Sequence, residues 1–166
     1  MAFAVHSPES PGVSPDVPAA IPASTSPPAS SSAAAPALPP LASPDVRLEP
    51  SGTGVRVVFL RGMFLPDSTT LTPDGRRQLE SWGQLLRGKD VRVTVLGHGV
   101  TTPDGPATGG STTAVARAAA AAEVLADAAG KPLTAFALRS AEQSDVPHPG
   151  GDPALNRTVT LQVDLP

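Results

Sequence analysis

The residues best placed to bind a ligand form a short glycine-flanked segment, Leu96–Val100, which reads Leu-Gly-His-Gly-Val. It follows an apolar run, Val91 to Val95, that alternates as a β-strand does. Because ligands of parallel α/β sheets collect beyond the carboxyl ends of strands, His98 predicts a small pocket there. The alternative is structural: the glycines serve a tight turn and His98 makes a hydrogen bond within the protein. The residues alone favour this second interpretation.

No catalytic signature accompanies the segment. The chain contains no G-x-S-x-G, no P-loop, no H-E-x-x-H and no G-x-G-x-x-G after a strand. Its three histidines, His6, His98 and His148, lack metal-ligand spacing, and the chain has no cysteine. We therefore expect no enzymatic activity, no bound metal and no cofactor.

The charge and hydropathy of the chain argue against nucleic acid as a partner and against a membrane-spanning helix. Charged residues make up 16% of the 166 residues, and the formal net charge is −3. Nucleic-acid binding needs clustered Lys and Arg, so nucleic acid is not an expected partner. No apolar run reaches the roughly 18 residues of a membrane-spanning helix, and we expect no membrane span in this chain.

Proline divides the chain into two unlike parts, because 12 of the 21 prolines lie in the first fifty positions. Between Ser7 and Pro44 the residues are mostly Pro, Ala, Ser and Val, which bury too little apolar surface to offset the entropy of ordering. We predict residues 1–48 to be a disordered spacer, with an inert tail as the alternative, and residues 49–166 to be a folded domain. The first residues lack the pattern of a signal peptide.

Along residues 49–166 the spacing of apolar residues changes repeatedly between that of a strand and that of a helix. Thr72 and Pro73 predict a helix start, because a hydroxyl caps and proline fits the first turn. In a later Ala-rich helix, Val115 falls on the apolar stripe and Arg117 falls off it. The predicted elements are strand Val55–Leu60, buried on both faces, helix Pro73–Arg87, strand Val91–Val95, a helix capped by Ser111, Thr112 or Thr113 and closed by Gly130, strand Leu133–Leu138, and a last strand around Val159 to Val163.

This order predicts an α/β fold, a two-layer α+β sandwich with both helices on one face of a four-stranded sheet. Short right-handed crossovers make the first two strand–helix–strand units parallel.

Four segments resemble the motifs of the OmpA-like domain family. Phe64–Gly75 resembles the F-x-x-G-S-x-x-L-x-x-x-G opening of MotB-type members, and Val93–His98 resembles a strand ending in V-x-G-H-T-D. Arg117 and Ala118 resemble L-S-x-x-R-A, and Asn156–Val159 resembles N-R-R-V-E. The matches occur in the family's order and cover nearly all of the second part. The resemblance implies a βαβαββ fold with a four-stranded mixed sheet.

The resemblance also implies a ligand, the diaminopimelate of a peptidoglycan stem peptide. The family grips it with an Asp after Gly-His-Thr and with the Arg of the second helix, which suits a zwitterion because Arg holds carboxylates bidentately. Arg117 matches that Arg, whereas Val100 replaces the Asp, and Asp104 is a candidate substitute. The implied ligand-binding residues are His98, Gly99, Val100, Asp104, Arg117, Asn156 and Arg157.

Arg117, Asp104 and Arg157 also have structural alternatives. Arg117 is then solvated or pairs with a loop carboxylate, Asp104 lies in an ordinary turn, and Arg157 only begins the last strand. Two more family residues are replaced, since Ala114 stands for the motif Ser and Thr158 for the second Arg.

Two functions follow from the resemblance. The first is a non-enzymatic cell-envelope module that associates with peptidoglycan, weakly or with altered specificity. The second is a structural component of the same fold that docks onto protein partners in an envelope or injection-type machine. The family implies a location in the cell envelope, whereas the chain shows no signal peptide, so a cytoplasmic location stays open.

Overall fold

The computed structural model describes residues 45–99 and 110–165. The two α-helices are α1 (Pro73–Leu86) and α2 (Thr112–Ala129). The strands are β1 (Val46–Ser51), β2 (Gly54–Phe59), β3 (Arg92–Gly97), β4 (Phe136–Ser140) and β5 (Val159–Asp164). Short 3-10 helices, Leu133–Ala135 and Pro153–Asn156, precede β4 and β5.

The strands form one mixed sheet in the order β1-β2-β5-β3-β4. β1 and β2 are antiparallel, β5 runs antiparallel to both β2 and β3, and β4 lies parallel to β3. β2, β3 and β4 therefore share one direction, which confirms the two parallel strand–helix–strand units. The C-terminal strand lies between β2 and β3 and joins the two halves of the sheet.

The described sheet has five strands, so the prediction of four is wrong. The additional strand, β1, lies at the sheet edge, and it pairs from Val46 with Phe59 to Ser51 with Gly54. It contains Pro50, which an edge strand tolerates because a missing N–H on the solvent side removes no ladder bond. β1 also spans the predicted domain boundary after residue 48, and the division into spacer and domain stays a prediction.

Helix boundaries largely follow the capping residues. Thr72 Oγ1 accepts a hydrogen bond from the backbone N–H of Gly75 at 3.0 Å, with Pro73 in the first turn of α1. Ser111 Oγ accepts from the N–H of Ala114 at 3.4 Å and so is the cap of α2 among the three candidates. Gly130, with φ 63°, ends α2 in the left-handed conformation.

The strand predicted over Leu133–Leu138 begins later. Residues Leu133–Ala135 form a 3-10 turn, and β4 runs from Phe136 to Ser140. Gly130 and Pro132 end α2, and the chain makes this turn before it enters the sheet. The register of β4 on β3 follows, with Val93 opposite Phe136 and Gly97 opposite Ser140.

The core lies between the helices and one face of the sheet. Val57, Val95 and Leu161 from the strands pack with Leu79 of α1 and Leu125 of α2, and all five are fully buried. These strand residues are opposite one another in register, so one face of the sheet supplies a continuous apolar surface. The hydrophobic effect of this surface fixes which face the helices cover.

Burial of β2 on both faces is confirmed at one end of the strand. Val57 and Val58 are neighbours in sequence and point to opposite faces, yet both are fully buried. The helices cover the first, so other chain segments must cover the second.

α2 is buried over more of its circumference than a single stripe. Arg117 is only 2% exposed although the predicted stripe leaves it outside, and Val115 is 44% exposed although the stripe includes it. Both placements on the stripe are wrong. The reason is that α2 packs against α1 on one side and against β3 and β4 on another, so the buried arc is wide and rotated from the apolar residues.

The loop between β4 and β5 folds over the sheet face that the helices leave open. Arg56 of β2 donates from Nη2 to Asp145 Oδ1 at 2.7 Å, and Arg47 of β1 donates to the carbonyl of Pro147 at 3.3 Å. His148 Nε2 donates to the carbonyl of Phe59 at 2.9 Å. We call residues 141–152 the covering loop.

Candidate ligand-binding site

Strand alternation separates the predicted site residues onto two sides of the sheet. Gly97, the last residue of β3, faces α2, and a Cβ there would lie 1.8 Å from the carbonyl oxygen of Ala114. The glycine is therefore required by close packing of α2 on β3. Because side chains alternate along a strand, His98 points to the opposite side, toward the covering loop.

The His98 ring is held within the protein and is 3% exposed. Nδ1 lies 3.0 Å from the carbonyl oxygen of Asp145, and Nε2 lies 3.0 Å from Thr160 Oγ1. A carbonyl oxygen only accepts, so Nδ1 donates its proton to it, and Nε2 of the neutral ring accepts from the Thr160 hydroxyl. Both ring nitrogens therefore fasten the covering loop to β5.

The surroundings keep this ring neutral. Burial lowers the pKa of His98 from 6.5 to about 4, while the Asp145 carboxylate acts against this and the charges of Arg56 and His148 act with it. Removing a charged imidazolium from water is unfavourable, and this cost exceeds the attraction of one nearby carboxylate. The neutral ring is compatible with both hydrogen bonds, because the Thr160 hydroxyl can donate to Nε2.

Asn156 holds the covering loop through hydrogen bonds to the backbone of His148. Its Oδ1 accepts from the N–H of His148 at 3.0 Å, and its Nδ2 donates to the carbonyl of His148 at 3.4 Å. Asn156, His98 and Gly99 help to line a recess of about 10 Å³, which is room for about one water molecule. The structure thus brings these three residues together, but in a recess too small for a peptide.

Arg117 and Arg157 form the other part of the predicted site, on the side of the helices. Arg117 donates from Nε to the carbonyl of Ser68 at 3.1 Å and from Nη1 to the carbonyl of His98 at 2.9 Å. Its guanidinium carbon lies 5.5 Å from the centre of the Phe64 ring, a cation–π contact. All these partners are neutral, so among the described residues no carboxylate bonds to this buried cation.

Arg157 is tied to the same place through its backbone. Its carbonyl oxygen accepts from the N–H groups of Met63 at 2.8 Å and Phe64 at 3.1 Å, and Phe64 carries the ring beneath Arg117. The Nε of Arg157 is buried and has no hydrogen-bond partner in the part of the chain that the structure describes. We call Arg117, Arg157 and Phe64 the arginine cluster.

The cluster carries an excess of positive charge. Burial, and then the charge of Arg157, lower the pKa of Arg117, and Asp67 acts in the opposite direction. Asp67 is exposed, so water screens its charge. Two guanidinium groups with one screened carboxylate favour binding of an anion, and a guanidinium can hold a carboxylate bidentately.

Residues 63–68 contact the arginine cluster, but the predicted site does not include them. Phe64, Asp67 and Ser68 belong to the F-x-x-G-S motif, yet they are absent from the predicted site. Asp67 occupies the motif glycine and adopts φ 47°, in the left-handed region. The motif glycine is the signal that marks a special turn there, and that turn presents the carbonyl of Ser68 to Arg117.

Two predicted site residues, Val100 and Asp104, lie outside the described residues. Within residues 45–99 and 110–165, no group of three or more His, Cys, Asp or Glu side chains is arranged to hold a metal ion. In the same ranges no helix has the length and hydropathy to cross a membrane.

The sequence matches no protein-family model and no curated protein. Solved structures do match. The periplasmic domain of Helicobacter pylori MotB (residues 90-256) has a TM-score of 0.58 at 16% identity, over 72% of this chain and 78% of that one. The cell wall anchor of the T6SS from Pseudomonas aeruginosa has a TM-score of 0.55 at 19% identity, over 74% of this chain and 90% of that one.

A further match is the OmpA-like domain of FopA1 from Francisella tularensis, with a TM-score of 0.51 at 18% identity, over 71% of this chain and 77% of that one. At these identities the likeness concerns the fold. The chain has the fold of the OmpA-like and MotB periplasmic domains, with sequence motifs that have diverged from theirs.

Proposed function

We propose that the chain is a non-enzymatic module of the bacterial cell envelope that associates with peptidoglycan through its arginine cluster. One observation carries this proposal: Arg117 is 2% exposed, yet its hydrogen bonds within the described residues go only to neutral carbonyl groups. A buried cation without a direct counter-charge is costly unless a bound anion completes it. Peptidoglycan stem peptides supply carboxylates.

The fold supports this assignment. Among its structural matches are the periplasmic domain of MotB and a cell wall anchor, both of which function at the envelope. Fold alone does not determine function, so the arginine cluster has to provide the ligand chemistry. In the OmpA-like family the matching Arg grips the stem peptide, and Arg117 occupies that position.

The proposed contacts with peptidoglycan differ from those of the OmpA-like family. The sequence has Val100 where the family places an Asp, so that ammonium-binding carboxylate is missing. The side chains of His98 and Asn156 are used by the covering loop and do not face the arginine cluster. We therefore expect weak binding that depends on Arg117 and Arg157.

Retention on purified peptidoglycan sacculi tests the proposal. Wild type should co-sediment with sacculi, and Arg117→Lys should reduce retention because lysine cannot reproduce the forked guanidinium contacts. Arg92→Lys is the matched control, since Arg92 is exposed and begins β3, at the end of that strand opposite His98. Absence of wild-type retention, or equal retention of both variants, refutes the proposal.

A second candidate is a component that docks onto protein partners in an envelope or injection-type machine. The observation in its favour is that two residues at family site positions, His98 and Asn156, serve the covering loop instead. This candidate is favoured if the chain forms a defined complex with the product of a neighbouring gene and does not sediment with sacculi.

A further inference from the structure

The arginine cluster is unbalanced in charge, and this imbalance limits which carboxylates it accepts. Arg117 and Arg157 both contact Phe64. The guanidinium of Arg117 lies over the Phe64 ring, and the backbone carbonyl oxygen of Arg157 accepts a hydrogen bond from the Phe64 N–H. The hydrogen bonds of Arg117 go to carbonyl oxygens, and Arg157 Nε is buried with no hydrogen-bond partner in residues 45–99 and 110–165. Among the described residues, the charge of Arg157 acts on Arg117, and no carboxylate bonds to the Arg117 guanidinium.

A free amino acid is a poor occupant of such a site. Its ammonium group lies beside its carboxylate, so a carboxylate bound to both arginines brings a third positive charge close to them. Like charges at short range in a partly desolvated site repel strongly. Among the described residues, the carboxylate that acts on Arg117 is Asp67, which is exposed and therefore screened.

We propose that the arginine cluster selects a carboxylate that has no ammonium group beside it. In a stem peptide these are carboxylates whose own residue is acylated at nitrogen, as opposed to the free amino acid end of diaminopimelate. This inference rests on the proposed function, because it names the chemical group of peptidoglycan that the site takes. Arg157 is then a specificity-determining residue, since its charge adds the repulsion that rejects a zwitterion.

A matched pair of ligands tests the selection. meso-Diaminopimelate and its N,N′-diacetyl derivative share one carbon skeleton and two carboxylates, and only the first carries ammonium groups. Titration of the full chain, followed by calorimetry or by NMR of the arginine side chains, should show about tenfold tighter binding of the diacetyl form.

Three variants separate the contributions of the side chains. Arg157→Gln should weaken binding of the diacetyl form about tenfold, and it leaves the carbonyl oxygen that Met63 and Phe64 use. Arg92→Gln, at the opposite end of β3, should bind as wild type does. Asp67→Asn should tighten binding of the diacetyl form, because it removes a competing carboxylate.

The contrary results are distinct from failure of the proposed function. Equal or tighter binding of free diaminopimelate, or no binding of either ligand, overturns the inference. So does a loss of diaminopimelate binding in Asp67→Asn without any gain for the diacetyl form, which would make Asp67 an ammonium acceptor. If the diacetyl preference holds while sacculi do not retain the chain, the carboxylate selection stands and the peptidoglycan assignment fails.

Discussion

The neutral, buried His98 ring makes the stability of this domain depend on pH. Its pKa is lowered from 6.5 to about 4 in the folded state, chiefly by burial. The unfolded chain therefore binds a proton at His98 where the folded chain does not. The stabilisation is complete above about pH 6.5, decreases as the pH falls through the interval, and is lost below about pH 4.

The magnitude follows from the same two values. At about 1.4 kcal/mol for each pH unit between them, the free energy of unfolding should fall by about 3 kcal/mol across the interval on account of His98. The Asp145 carboxylate, Arg56 and His148 are the charged and titratable groups that act on the ring, and their effects are included in that pKa. For a domain of this size such a loss is a large fraction of ordinary stability.

Urea unfolding at about pH 7 and about pH 4.5 measures the effect. Other carboxylates titrate over the same range, so the informative quantity is the difference between wild type and His98→Asn. Asparagine retains a donor near the position of Nδ1 and has no charge to gain, so this variant should lose about 2 kcal/mol less than wild type between the two pH values.

Equal pH dependence in wild type and His98→Asn would refute the reasoning, because it would mean that His98 is protonated as readily in the folded state as in the unfolded chain. A uniform loss of stability in His98→Asn at both pH values would not, since it reports only the lost hydrogen bond to Thr160.

Four further substitutions test three local features, each by urea unfolding. Gly97→Ala should lower the free energy of unfolding by about 3 kcal/mol or more, because its Cβ would lie 1.8 Å from the Ala114 carbonyl oxygen. Gly99→Ala is the control, since a Cβ there makes only ordinary contacts, and it should lower this free energy by under about 1 kcal/mol. Equal losses in the two variants contradict the close packing at Gly97. Asp67→Gly should stabilise by about 1 kcal/mol, because glycine adopts φ 47° without strain, and a destabilised variant would show that the carboxylate matters more. Thr72→Ala should cost about 1 kcal/mol through loss of the α1 cap, and no change would contradict it.

Local signals were sufficient for most elements of the fold. Thr72, Pro73 and Gly130 act within one or two turns of chain, so their caps are readable without knowledge of distant residues. The alternation of β3 and β5 is equally local. β1 escaped prediction because an edge strand buries little, and its mixture of charged residues and proline carries no periodic apolar signal.

The site was only partly readable for a different reason. The family motifs point to Arg117 and to the segment after β3, but they cannot say which way each side chain points. One residue of offset decides whether a side chain faces the helices or the covering loop, as it does for Gly97 and His98.

The sequence by itself determined the helix caps, the order of the elements, and the glycines and arginine that mark an OmpA-like fold. These depend on backbone preferences and on apolar periods that act over a few residues. Only the tertiary structure decided that β5 lies between β2 and β3, that His98 fastens a loop, and that Arg117 is buried beside Arg157. These outcomes depend on segments far apart in the chain. The side chains become buried, and their pKa values shift, only once packing has brought those segments together.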